Sequence, residues 1–527
     1  MKRLSLLVVS AAVAAAAAAA VVWTLSGRPP VMGTPVSIDH APRLSPDYAG
    51  CVIPPNIAPL NFVVKEPAAW YHVRIAADKG EPIEITGRSP VVVIPLGAWK
   101  RLLGANRGGK LTCEVCVWTA EGGWRRFAPL EYTVADEEID AWVVYREMPV
   151  YNMVWNSMAI RQRCLEDFDE TVILHGKSYG GGCPNCHTFY RNLPDRMVMN
   201  VRGVPPPPLK PPGGMLLAEN GRVSRVVDTR TALSSIPATY LAWHPSGKAV
   251  SFSMNSVLQC FNTLGEHRDV IDRDSDLGLY LVESNTVTTS PEICRPDRHE
   301  TYTTWTADGR TLYYCSAPKL PMKRYKESRY DLMRIPYDIE TNTWGKPETV
   351  IASRRTGLSV SHPRCSPDGK WLMFCMARYG NFPAFRPSSD LYMMDMETGK
   401  FRPLDINSYK SEAWHSWSSN SRWIVFASKR RDGLFARLYL SYVDRTGKAH
   451  KPFILPQKDP TFYDSYLLIH NVPELVKSPL RLKQRDVIRA LFSAEKCVQA
   501  ALDPGVEVRK PAAPPDEASQ YETGPGG

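Results

Sequence analysis

At 527 residues, with 44% apolar and 22% charged side chains, the chain can hold two or three domains with sizeable cores, which excludes a small disulfide scaffold and a disordered polymer. Its 45 Pro, 14 Trp, 23 Tyr and 15 Phe point to turn-rich, aromatic β structure rather than helix bundles. The formal net charge of +10 comes without a concentrated Lys/Arg stripe, which argues against nucleic-acid binding. It suits an acidic redox partner, anionic lipid head groups or solubility alone.

Lys2 and Arg3 precede an uncharged run from Leu4 to Leu25, dominated by Ala11 to Ala20. A basic start followed by an apolar run is an export signal, and this run is also just long enough to cross a bilayer. Residues 1–27 are therefore expected to be a signal peptide or an uncleaved membrane anchor. Either places the rest of the chain in the periplasm or on the outer face of the cytoplasmic membrane. A Pro-containing linker over 28–49 follows.

Residues 50–140 read as short strands separated by Gly and charged turns. Trp70–Ile75, Pro90–Pro95 and Thr112–Trp118 are the clearest, with a hairpin turn at Glu121–Trp124 and a short helix at Gly97–Leu103. Several strands at this spacing predict a small β-sandwich, immunoglobulin-like in outline. From Ile139 to Glu170 the apolar spacing looks more helical, so 141–187 is expected to be a connecting segment.

That segment ends in Cys183-Pro184-Asn185-Cys186-His187. Two thiols three positions apart can each add to a vinyl group of one haem, and the adjoining imidazole is then held under the iron as an axial ligand. Cys183 and Cys186 are thus the expected covalent attachment points of one haem c, with His187 as axial ligand to the haem iron. Three other chemistries use such a pair. A redox-active dithiol needs a helix start, and the sequence after Gly180-Gly181-Gly182 has no helical period before Pro194. A zinc site needs a second ligand pair; Cys113 and Cys116 lie on an apparent strand, where i and i+3 face opposite sides. A structural disulfide is the third.

For the sixth ligand, Met197, Met199 and His175 lie near the motif in sequence, and an empty position is the remaining case. Gly176-Lys177-Ser178-Tyr179-Gly180 fits the G-x-S-x-G nucleophile elbow, but a glycine triplet and C-P-N-C-H replace the helix that the elbow needs. Those glycines are expected to let backbone pass close to a flat macrocycle.

From about residue 188 the chain repeats at intervals of ~50–60 residues, as propeller blades do. Each repeat has a strand, a polar Ser/Pro/Asp/Gly turn and an apolar strand. The copies are Trp243–Phe252, Trp305–Tyr314, Cys365–Phe374 and Trp417–Phe426, with an imperfect copy at Leu193–Asn200 interrupted by the Pro-rich insertion 204–213. Pro452–Leu455 together with an upstream strand could close a sixth blade. The propeller is expected over 188–480, a C-terminal helix over 481–508 and a disordered tail over 509–527.

The Ser366-Pro367-Asp368-Gly369-Lys370 turn and its copies resemble the TolB-type (WD40-like) propeller repeat family. The chain as a whole is similar to exported mono-haem propeller proteins, on Ile53–Phe62, Gly182–His187 and His470–Leu475. The resemblance implies an all-β fold: an immunoglobulin-like β-sandwich, a haem-bearing segment and a TolB-like β-propeller of five to six blades. The function expected is a mono-haem c-type cytochrome, membrane-anchored or exported, whose propeller docks a protein partner while the haem passes electrons. The alternative is an envelope binding scaffold in which the haem, or a Cys183–Cys186 disulfide, is structural or sensory. An electron carrier or binding protein fits these features better than a hydrolase or peroxidase.

Overall fold

The computed structural model describes residues 29–150, 155–203, 213–261 and 268–507. The proposed signal or anchor (1–27), the tail (509–527) and most of the Pro-rich insertion lie outside them. Among the described residues no helix is long and apolar enough to cross a membrane. The chain forms two compact units, one built on residues up to Asp136 with Pro456–Ser465, the other on Glu137–Leu455 and residues from Tyr466 onward.

The first unit is a two-sheet β domain. Its larger sheet centres on Lys110–Thr119, which pairs antiparallel with Trp70–Ala77 on one side and with Gly123–Arg126 and Leu130–Val134 on the other. Leu44–Ser45, Phe62–Val64 and Val91–Val92 form the smaller sheet. The expected helix spans Leu96–Ala105 and buries Trp99, Leu102 and Leu103, with Trp99 Nε1 donating to the Ile57 carbonyl at 3.0 Å. Cys113 and Cys116 lie on the long strand, both buried and free. Cys116 packs against Trp70 and Trp124, as an apolar thiol does.

The second unit is a six-bladed β-propeller. The strands Cys183–Phe189, Thr239–Trp243, Arg298–Trp305, Ser359–Cys365, Glu412–Trp417 and Leu468–Val476 each touch the next, and the last touches the first. They are the inner strands of six sheets, and their ring closes the fold. Each sheet then runs outward through antiparallel neighbours, in the first blade Arg196–Arg202, Gly214–Glu219 and Arg222–Asp228. Closing the ring leaves only short edges and removes the row of unpaired backbone groups that an open sheet presents.

The sixth blade differs from the sequence expectation. Phe453–Ile454 is the outer strand of the fifth blade. The sixth joins Leu468–Val476 to Trp142–Pro149, Ala159–Cys164 and Glu170–His175, strands drawn from both ends of the unit. The stretch from Ile139 to Glu170 is therefore strand rather than helix. Its mixed apolar spacing reflects burial on both faces, as seen in the fully buried run Val143–Pro149. At the other end, the expected C-terminal helix is only Gln484–Leu491. Cys497–Gln499 and Ala501–Leu502 beyond it add parallel edge strands to the first and second blades.

Candidate functional site

All six inner strands share one irregularity. The ladder slips by one residue between Pro184 and His187, Thr239 and Ala242, Thr301 and Thr304, Ser361 and Arg364, and Ala413 and Ser416, and opposite Val472 in the sixth blade. Such a bulge leaves an extra residue out of the pairing and re-aims its side chain. In five blades that residue has positive φ: Tyr240, Tyr302, His362, Trp414 and Val472. Tyr240 lies 6.1 Å from Trp414 and 6.5 Å from His362 between ring centroids. Side chains from blades that are not neighbours can meet only at the propeller axis.

The C-x-x-C-H segment is the inner strand of the first blade, and Cys186 lies in its bulge. Cys183, Cys186 and His187 are all buried and both thiols are free. Cys183 Sγ lies 3.8 Å from Met158 Sδ; burial raises its pKa, and the guanidiniums of Arg202 and Arg146 pull it back. His187 turns toward the sixth blade, its Nε2 at 3.3 Å from the Val144 carbonyl. Burial, chiefly, takes its pKa down to about 4, so the ring is neutral.

A cavity of about 90 Å³, open to solvent, occupies the channel beside this strand. Asn185, Tyr240 and Trp414 line it together with Arg146, Arg202 and Lys429 and an apolar wall that includes Val257, Phe382 and Ile469. Apolar walls with a few convergent polar groups are what small-molecule and cofactor sites present. Arg146, Arg202 and Lys429 suit the two carboxylates of a haem, but neither motif thiol lines the cavity. The His187 ring does not face the cavity, and to ligate iron there it would have to leave Val144.

The structure takes the other expected ligands away from the channel. Met197 and Met199 are fully buried in the core shared with Val144 and Ile160 of the sixth blade. The His175 imidazole accepts a hydrogen bond from the Lys177 amide and caps the turn Gly176–Tyr179. Ser178 sits in that turn, which leads into the inner strand and not into a helix. Gly182 serves the protein itself: a Cβ there would lie 2.0 Å from the Tyr179 ring and 2.7 Å from the Arg202 carbonyl oxygen.

The axial residues escaped the sequence reading although a signal was present. Tyr240, Tyr302, His362 and Trp414 each stand three positions before the residue that opens a repeat core: Trp243, Trp305, Cys365 and Trp417. In the first blade the ladder puts Asn185 at that position, directly after Pro184 as Tyr240 is directly after Thr239. Among the described residues no group of three or more His, Cys, Asp and Glu side chains is arranged to hold a metal ion.

The fold defines an all-β, propeller-based protein with a cavity in its central channel. No family model matches the chain, and no curated protein matches it. Among solved structures it is similar to prolyl oligopeptidase B from Galerina marginata bound to a 25mer macrocyclization substrate, at 8% identity and TM-score 0.33, covering 59% of this chain and 44% of that one. Oligogalacturonate lyase in complex with manganese aligns at 13% identity and TM-score 0.30, over 64% of this chain and 87% of that one. Kuenenia stuttgartiensis hydrazine synthase aligns at 13% identity and TM-score 0.29, over 52% and 66%. The chain thus spans under half the length of the prolyl oligopeptidase B it matches.

Proposed function

We propose that this protein is an exported, TolB-like propeller that carries one haem c on Cys183 and Cys186 and passes single electrons to a protein docked on the propeller. The observation that supports it is the placement of both motif thiols on the inner strand of the first blade, beside a channel cavity rimmed by Arg146, Arg202 and Lys429. When bound, the haem supplies one-electron redox chemistry. The chain's own contribution is threefold. The thiols would anchor the group, the cations would meet its carboxylates, and Tyr240 and Trp414 would limit water in the channel.

The test is a haem-peroxidase stain on a denaturing gel with a pyridine haemochrome spectrum, after co-expression with cytochrome c maturation factors. A haem-positive band at full length that is lost in Cys183→Ala/Cys186→Ala is the expected result; a wild-type chain without covalent haem would sink this reading. The contact of His187 with Val144 favours a second reading, an envelope scaffold in which the motif strand only closes the ring. Partner binding that is unchanged after loss of haem would select it.

A further inference from the structure

Two arginines of the channel cavity lack the carboxylate partner that other half-buried arginines of the propeller have. Arg364 meets Glu474 at 3.0 Å, Arg430 meets Glu412 at 3.1 Å and Arg161 meets Glu147 at 3.0 Å. Arg146, 8% exposed, donates only to neutral amides: its Nε to Asn471 Oδ1 at 2.9 Å and its Nη1 to Asn185 Oδ1. Arg202 does not have even that. Its Nε is buried without a partner, and among the described residues no hydrogen bond or ion pair reaches its guanidinium.

The two cations stand at neighbouring positions of the wall. Arg202 pairs with Cys183 across the first blade's ladder, and Asn185, which holds Arg146, is two residues further along that strand. Lys429, also buried, adds a third cation, and no Asp or Glu among the described residues lines the cavity. The carboxylate behind Asn255 is that of Asp272, and Tyr330, Asn255 and Asn381 already donate to it.

Positive charge taken out of water and left without an anion is costly, and in native proteins such charges are paired. The rest of the wall says what else the anion carries. Phe382, Trp414, Val257 and Ile469 make it largely apolar, and its volume of about 90 Å³ has room for on the order of six waters. A small molecule with one charged end and one apolar end matches both properties.

We propose that this cavity binds a small organic carboxylate, its carboxylate on Arg202 and Arg146 and its apolar body against Phe382 and Trp414. A guanidinium offers a carboxylate two parallel N–H donors, and those of Arg202 are uncommitted. The site goes beyond the haem reading and does not rest on it, because neither motif thiol lines the cavity. A haem whose carboxylates took these cations would compete with the anion, so the test uses full-length chain expressed without cytochrome c maturation factors.

Isothermal titration calorimetry with benzoate, benzamide and inorganic phosphate separates the charge from the apolar body. Benzoate should bind. Benzamide, which has the shape without the charge, and phosphate, which has charge without the apolar body, should each bind about tenfold more weakly or worse. Arg202→Gln should weaken benzoate by a similar factor, Arg202→Lys should keep part of the affinity, and Phe382→Ala should weaken benzoate while leaving phosphate unchanged. Melts of each variant without ligand check that it is folded. Cys183→Ala/Cys186→Ala should bind as wild type does, which separates this outcome from the fate of the haem. No benzoate binding by folded wild type, equal binding of benzamide, or unchanged affinity in Arg202→Gln overturns the proposal. Phosphate binding tighter than benzoate overturns it in favour of an inorganic-anion site.

Discussion

His187 Nε2 lies 3.3 Å from the carbonyl oxygen of Val144, so the imidazole that follows the two motif thiols ties the first blade to the second strand of the sixth. Burial keeps that ring neutral against the pull of the carbonyl, and several other imidazoles share the condition. His187 and His299 are taken down to about 4 and His415 to about 3, in each case mainly by burial, while His362 and His470 are driven well below the usual histidine range.

Acid should therefore unfold the propeller. The unfolded chain takes up protons near pH 6.5 and the folded one does not until near pH 4, so this stability is complete above pH 6.5 and is lost as pH falls toward 4. His187 alone contributes on the order of 3 kcal/mol. Denaturant midpoints measured across this window should fall with pH, and more gently in His187→Gln.

Glu300 works in the opposite direction. Burial first, and the charge of Asp276 second, push its carboxyl up to about 8 from 4.5. Here the folded state holds the extra proton, so stability declines as pH rises from about 4.5 to about 8. Glu300→Gln should flatten the alkaline side of the stability profile; an unaltered slope would show that the carboxyl stays ionised throughout.

Arg364 of the fourth blade reaches Glu474 of the sixth at 3.0 Å, and Thr188 of the first blade shares the same carboxylate. Removing one partner of a buried pair strands the other, at roughly 3–5 kcal/mol. Arg364→Ala should be destabilising on that scale, and adding Glu474→Gln should restore part of the loss. A double-mutant cycle by urea denaturation measures the coupling.

Gly309 and Gly369 hold the same turn position, at φ 73° and 72°. Alanine strains both by about 1 kcal/mol. At Gly309 the new Cβ would also lie 2.6 Å from His244 Nε2, whereas at Gly369 the nearest atom is the Ala307 Cβ at 3.3 Å. Thermal melts should show the larger loss for Gly309→Ala, and equal losses would mean that the His244 ring yields freely.

The turns were legible in the sequence because their chemistry is local: Asp368 Oδ1 accepts from the Lys370 amide, and Gly369 supplies the positive φ. The sixth blade was not, because Val143 pairs with Leu475 and nothing near either residue announces so distant a partner. The motif thiols could be read from spacing alone. The axial set could not, since a bulge moves Tyr240 and His362 off the alternation that a strand pattern assumes, and their meeting is a property of the closed ring.

That closure has a temporal side. A ribosome releases Cys183–Phe189 long before Leu468–Val476, the strand that covers it in the finished ring. Until the last blade is made, the two thiols remain reachable from the side on which they later lie buried. A group to be joined to them covalently would have its opportunity while the ring is open, so the order in which the strands emerge would bear on it as much as the finished shape.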